Sequence, residues 1–201
     1  MIKAAPPAFP VVQAGHPVLR AAAVPVDPAQ IGSAELRALV QKMVAVMRAA
    51  PGVGLAAPQI GVGLQVIVLE DAEALMAKLT PPERALRGRV PYPLQILINP
   101  RLTPIGPDRA TFFEGCLSVK GYMALVERAL TVEVAALDEH GSDVAFTVSG
   151  WPARILQHEV DHLQGTLYVD RMLTRTFCCN EEAMRWIGLP ASETKTKLDI
   201  G

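Results

Sequence analysis

Leu36, Leu39, Val40, Met43, Val44 and Met47 recur at the three- and four-residue spacing of one helix face. The segment opening near Ser33 and stopped by Pro51-Gly52 is therefore predicted to be an amphipathic helix packed on a core. Leu64 to Leu69 and Leu94 to Ile98 are short apolar runs that suit buried strands, and the Pro- and charge-rich stretch 71–93 between them predicts a surface insertion. Thr131 to Leu137 and Asp143 to Ser149 flank Glu139-His140-Gly141, which predicts a hairpin. A second helix is expected from Pro152, suited to a first turn, to Leu163, with Gly165 placed to end it. On that helix Trp151, Ile155, His158, Glu159 and His162 share one side, while Leu156, Val160 and Leu163 occupy the other, so it should cross the interior. The chain reads as α+β, without repeats or low-complexity blocks.

With 201 residues, 50% of them hydrophobic, one sizeable core can form without disulfides, and a single domain is the expectation. A net charge of −1 and a pI near 6.4 give no electrostatic footprint for nucleic acid or an anionic membrane, so any ribosome contact must be local. Cys116 and the adjacent Cys178-Cys179 make no secreted disulfide framework, and a reducing compartment fits them. No apolar run reaches the about 18 residues of a membrane span, and neither a signal nor a transit pattern opens the chain; a processed organellar protein would look the same.

His158-Glu159-Val160-Asp161-His162 changes the picture most. Side chains at i and i+4 of a helix lie on one face, so both imidazoles can reach one cation while Glu159 stays close enough to handle a water. A catalytic site of this kind needs a third ligand. The metzincin spacing puts a ligand where this chain has Tyr168, and fails there; a thermolysin-like spacing would use Glu181 or Glu182, about twenty residues on. Upstream, Glu114-Gly115-Cys116-Leu117-Ser118 offers a thiol, a tight ligand for Zn²⁺ or Fe²⁺. A closed structural zinc site is the alternative, although such sites draw more cysteines than this chain supplies. Gly52-Val53-Gly54 lacks side chains at two positions of three, so an extended peptide could approach as an added strand; a plain helix-stop loop would read the same way. His16 and His140 fall in turns and are expected to be structural or exposed.

Gly52-Val53-Gly54-Leu55-Ala56-Ala57-Pro58-Gln59, Glu114-Gly115-Cys116-Leu117-Ser118 and Gln157 to Gly165 resemble, in order, the three motifs of the peptide deformylases. The likeness runs from about Phe9 to Phe177, leaving a tail at 178–201, and Phe112 to Phe177 is more similar to the mitochondrial-type 1A subclass. The resemblance implies an α+β single domain with mixed or antiparallel short sheets around a central HExxH helix. It implies Cys116, His158 and His162 as metal ligands, Glu159 as proton carrier, and Gln59 and the Leu117 N–H as donors to a developing oxyanion. Gly52, Val53, Gly54, Gly115, Trp151 and Ile155 would line the substrate cleft, and Glu114 would be a buried acid paired with Arg128. Ligand chemistry alone favours Zn²⁺ for a His₂Cys set; the resemblance implies Fe²⁺, with Zn²⁺, Ni²⁺ or Co²⁺ as substitutes. The implied substrates are nascent N-formylmethionyl peptides met at the ribosome exit by a monomer or homodimer that binds neither nucleic acid nor membrane. The compartment would be a bacterial cytoplasm, or a mitochondrial or plastid matrix. A metalloprotease with a downstream Glu ligand and a non-catalytic metal-binding module are the competing readings.

Overall fold

The computed structural model describes residues 11–50, 52–77 and 79–200; Phe9 and Pro51, both used above, lie outside them. Ser33 Oγ accepts the Leu36 amide at 3.2 Å and opens α1 (Ala34–Ala49), which buries Leu36, Val40, Met43 and Met47 of the predicted stripe, leaves Leu39 and Val44 partly buried at its edge, and buries Val46 in addition. The chain continues through β1 (Gly54–Ala56), β2 (Val66–Asp71), α2 (Glu73–Met76), α3 (Pro81–Arg87), β3 (Tyr92–Pro104), β4 (Arg109–Cys116), β5 (Val119–Ala129), β6 (Thr131–Leu137), β7 (Asp143–Ser149), α4 (Trp151–Leu163), β8 (Cys178–Cys179), α5 (Asn180–Ala183) and α6 (Ala191–Lys197). One sheet has the order β1-β2-β3-β6-β7 and a second the order β4-β5-β8, with every strand pair antiparallel. This is the expected α+β fold, with antiparallel sheets around the HExxH helix.

The two-residue period of β2 explains how the larger sheet carries both long helices. Val66 and Val68 pack into the cluster built on α1, whereas Ile67 and Leu69 pack into the cluster that includes Leu156, Val160 and Leu163 of α4. Each of these fully buried side chains contributes about 1.5–3 kcal/mol. The α4 helix is also clamped to β5, because the Gln157 amide both accepts from and donates to the Ala129 backbone, at 3.0 and 2.9 Å. Just past its end Gly165 adopts φ +72°, and a Cβ there would stand 2.6 Å from the Arg20 carbonyl oxygen, so left-handed backbone and close packing both require glycine.

Three sequence expectations change. The stretch 71–93 is not merely a surface insertion: Met76 and Asp71 are buried, and α3 begins with a capping box in which Thr80 and Glu83 satisfy each other's amides. The strand expected at Leu94 to Ile98 runs on to Pro104 through a bulge at Asn99 (φ +53°), whose side chain anchors both backbone groups of Val26. Beyond Phe177, β8 pairs with β5, and Ala183, Trp186 and Ile187 pack on Phe113 and Leu125. No helix among the described residues is long and apolar enough to cross a membrane.

Candidate metal centre and its cleft

The floor of the site is assembled from three elements. α4 brings His158, Glu159 and His162; the end of β4 brings Cys116; and the turn after β1 brings Gln59. A register shift between Gly115 and Cys116 lets β4 leave its partner there. One ligand atom each from Cys116, His158 and His162 can be chosen so that all lie within 4.8 Å of one another, with Cys116 Sγ 3.2 Å from His162 Nε2. Glu181 and Glu182, the downstream ligands of the protease reading, are not in this cluster; Glu182 instead pairs with Arg185.

Glu114 holds His158 in place, whereas Nδ1 of His162 is buried with no hydrogen-bond partner among the described residues. His158 Nδ1 lies 2.9 Å from Glu114 Oε2, which leaves Nε2 for a cation. Glu114 also receives two hydrogen bonds from Arg128, at 2.7 and 2.8 Å, and one from Arg154 at 2.5 Å. Arg128 reaches on to Asp161 at 2.7 Å, which Arg171 grips through two more bonds. Burial works against the Glu114 carboxylate, but the Arg128 bonds and charge, with His158, outweigh it and hold its pKa below the ordinary range. Burial likewise opposes a charged His158, yet Cys116 and Glu114 raise its proton affinity well above normal, and a cation would displace that proton. His162 is pushed well below its usual value, first by burial and then by His158, which keeps it neutral and able to ligate. A sulfur and two imidazoles, gathered at the floor of a cleft with His162 buried, fit a divalent transition metal.

Glu159 is buried, with Oε2 lacking any hydrogen-bond partner among the described residues. Its Oε1 would lie only 2.3 Å from a Cβ at position 54. Gly54 therefore serves first to admit this carboxylate, a role the sequence reading assigned only to an incoming backbone. Burial pushes the Glu159 pKa up to about 7, with His158 and Arg128 pulling it back only in part. The folded chain thus holds this proton more tightly than the unfolded chain does. The metal-free protein should consequently lose stability as the pH rises from the ordinary carboxylate range through about 7. Thermal melts across that window should show the decline, and Glu159→Gln should flatten it; an unchanged slope in the variant would assign the effect to another group.

These side chains open into a cleft of about 370 Å³. Its lining includes Gly52, Val53, Gly54, Gln59, Gly115, Leu117, Trp151 and Ile155, so every predicted site residue borders it except His162, which is buried behind Cys116. Gln59 Oε1 accepts the Ala56 amide at 2.9 Å, which turns its NH₂ toward Cys116 Sγ and Ser118 Oγ. His16 caps a short turn and stays outside the cluster, as expected. Four participants went unread in the sequence. Arg154 lies one helical turn before His158, a spacing that could have exposed it; Asp161 stood inside the motif; and Arg87 and Arg89 border the cleft from the segment taken for an insertion.

A half-buried sulfur–imidazole cluster beside a buried carboxylate, at an HExxH helix under a cleft, defines a centre of the metallohydrolase class. The family model for polypeptide deformylase matches residues 8–177, and the chain belongs to that family. It is 52% identical over 179 residues to peptide deformylase 3 of Streptomyces avermitilis, covering 89% of this chain and 78% of that protein. It is 49% identical over 172 residues to the human mitochondrial peptide deformylase, covering 86% and 71%. The crystal structure of a class I type b peptide deformylase from Acinetobacter baumannii with bound Met-Ala-Ser superposes with a TM-score of 0.72 at 34% identity, covering 82% of this chain and 98% of that one. The mitochondrial and the Streptomyces enzymes, at 49% and 52%, are both more similar to this chain than the type b enzyme is, at 34%.

Proposed function

We propose that this chain removes the formyl group from N-formylmethionyl peptides, giving formate and a free N-terminal Met. The observation that carries this reading is the convergence of Cys116, His158, His162 and Glu159 beneath a cleft bordered by β1, an edge strand of its sheet. An extended peptide can add to that edge through its backbone. Cys116, His158 and His162 would hold a divalent cation, which when bound supplies Lewis-acid polarisation of a carbonyl and a water of lowered pKa. Fe²⁺ is the ion we assign from the family likeness, with Zn²⁺, Ni²⁺ or Co²⁺ as substitutes. Glu159 takes the proton of the attacking water and delivers it to the departing amine as the formyl C–N bond breaks. Gln59 Nε2 and the Leu117 N–H donate to the formyl oxygen as it gains charge, each such donor being worth about 3 kcal/mol. Val53, Trp151 and Ile155 wall a slot suited to the unbranched Met side chain, while Gly52, Gly54 and Gly115 leave backbone room.

We assign the activity to one domain spanning the chain, acting as a monomer or homodimer on nascent peptides at the ribosome exit. The net charge of −1 gives no footprint for nucleic-acid or membrane binding, so a ribosome contact would be local. A bacterial cytoplasm, or a mitochondrial or plastid matrix, is the compartment this implies.

Formyl-Met-Ala-Ser should be cleaved well, whereas acetyl-Met-Ala-Ser should fall by at least about 10- to 200-fold in kcat/KM, because one extra methyl at a closed end is costly. Internal peptide bonds should resist for the same reason. Equal formyl and acetyl rates would reject the reading, and preferential internal cleavage would favour a protease. Metal analysis of anaerobically purified protein should find iron, and Cys116→Ala should lose it; metal retained in that variant would remove Cys116 from the ligand set.

A further inference from the structure

The cleft follows α4 back from the metal cluster. His158 and Glu159 border it near the end of that helix, and Ile155 and Trp151 border it toward the start. With a rise of 1.5 Å per residue, Trp151 lies about 10 Å from His158 along the helix axis. Two segments from elsewhere in the chain complete the lining around Trp151. One is the end of α3, with Arg87, and the other is the tail at 178–201, with Ile187, which lies outside the stretch that carries the family likeness. The two segments are tied together. The guanidinium carbon of Arg87 lies 5.6 Å from the indole centroid of Trp151, and its Nη2 donates to the Ile187 carbonyl. Gly188 lets the tail settle against α3, because a Cβ there would stand 2.9 Å from Glu83 Oε1. The Ile187 amide bonds to the Ala183 carbonyl at 2.9 Å, and its side chain packs against Phe113, Leu125 and Ala183. Ile187 is nevertheless only half-buried, and it borders the cleft.

We propose that Ile187 is a specificity-determining residue, which closes the far end of the Met slot and limits the first residue of the substrate to unbranched side chains about as long as Met. This rests on the deformylase reading and deepens it. A side chain that runs from the metal cluster along Val53 and Ile155 toward Trp151 meets Ile187 at the end of its path. The carbonyl of Ile187 is held by the guanidinium of Arg87, which is itself buried, and a charge-assisted bond of this kind keeps the wall from receding. Packed apolar walls yield little to extra volume. A closed slot should therefore reject added methylenes, whereas an open one would reward each of them by about 4-fold in affinity. The two cases differ in the sign of the effect.

The test compares formyl-Met-Ala-Ser with analogues whose first residue is norleucine or 2-aminooctanoic acid, a straight chain two methylenes longer than norleucine, on the metal-loaded protein. Calorimetry on the matching unformylated peptides supplies affinities that do not depend on turnover. In the wild type kcat/KM for the aminooctanoyl peptide should lie at least about 10-fold below that for the norleucyl peptide. In Ile187→Ala, which removes three carbons of the wall, that ratio should shift by at least about 10-fold toward the longer chain, with affinities moving in parallel. A tail that only stabilises the fold would lower all three peptides together and leave the ratio where it was. A ratio that Ile187→Ala does not move, or a wild type that cleaves the longer chain as well as norleucine, overturns the assignment. If Ile187→Ala does not fold, Ile187→Val, one methylene smaller, should shift the ratio in the same direction by about 3-fold, and no shift is read in the same way. If formyl-Met-Ala-Ser itself is not cleaved, the deformylase reading fails, and the affinities of the unformylated peptides alone decide whether Ile187 ends the slot.

Discussion

Glu159→Gln should lower kcat/KM for formyl-Met-Ala-Ser by at least about 10², while the protein retains its metal. Gln has the shape of Glu and fits the space that Gly54 leaves, where a Cβ would meet Oε1 at 2.3 Å. It also leaves Cys116, His158 and His162 in their cluster. What it removes is a group able to accept a proton, and the burial that pushes the Glu159 pKa up to about 7 is the feature that tunes it for that task near neutral pH. The variant should fold at least as well as the wild type above that pH, since it no longer buries a carboxylate without a hydrogen-bond partner for Oε2. Turnover and metal content together discriminate between roles. Near-normal turnover would remove Glu159 from the chemistry, and loss of metal with loss of activity would make it a ligand.

The features legible in the sequence were those encoded at short range. The apolar stripe of α1, the β6–β7 hairpin and the bounds of α4 each follow from a period or a punctuation mark within about a dozen residues. The Cys116–His158–His162 cluster was legible because the two histidines report their shared helix face and the three motifs together carry a family resemblance that implies Cys116 as the third ligand. Of the support behind it, the buried Glu114–Arg128 pair followed from the resemblance and is found, but the rest was not legible. Glu114 meets Arg154 across 40 residues of chain and Arg128 meets Asp161 across 33, and no spacing rule announces a pair that the fold alone brings together. Composition misled at 71–93, where charge and proline concealed the Thr80–Glu83 capping box and the inward-facing Arg87 and Arg89. Gly54 was assigned to an incoming peptide because the Glu159 carboxylate that occupies its missing Cβ lies 105 positions away, from 54 to 159.

Glu114→Ala should be the most destabilising single change at the site. This carboxylate is the shared anion of Arg128, Arg154 and His158, with bonds of 2.5–2.9 Å, and both its arginine partners are buried. Removing one member of a buried ion pair leaves charges that water cannot reach, which costs about 3–5 kcal/mol. Arg128 keeps Asp161, and Arg154 keeps the carbonyls of Val126 and Ala110, so collapse should be partial. For a chain of this size that loss corresponds to a Tm lower by about 10 °C. The same deletion frees His158 Nδ1, and losing such a partner weakens metal binding by about 10- to 100-fold. Because the pKa of Glu114 lies below the ordinary carboxylate range, its contribution to stability is present at neutral pH and fades only as the pH falls through that depressed value. Melting in the metal-free state isolates the ion network, and metal titration then isolates the effect on His158. A Tm within about 2 °C of the wild type would show that Arg128 and Arg154 are satisfied without Glu114, and unchanged metal affinity would show that His158 needs no partner to hold its ring in place.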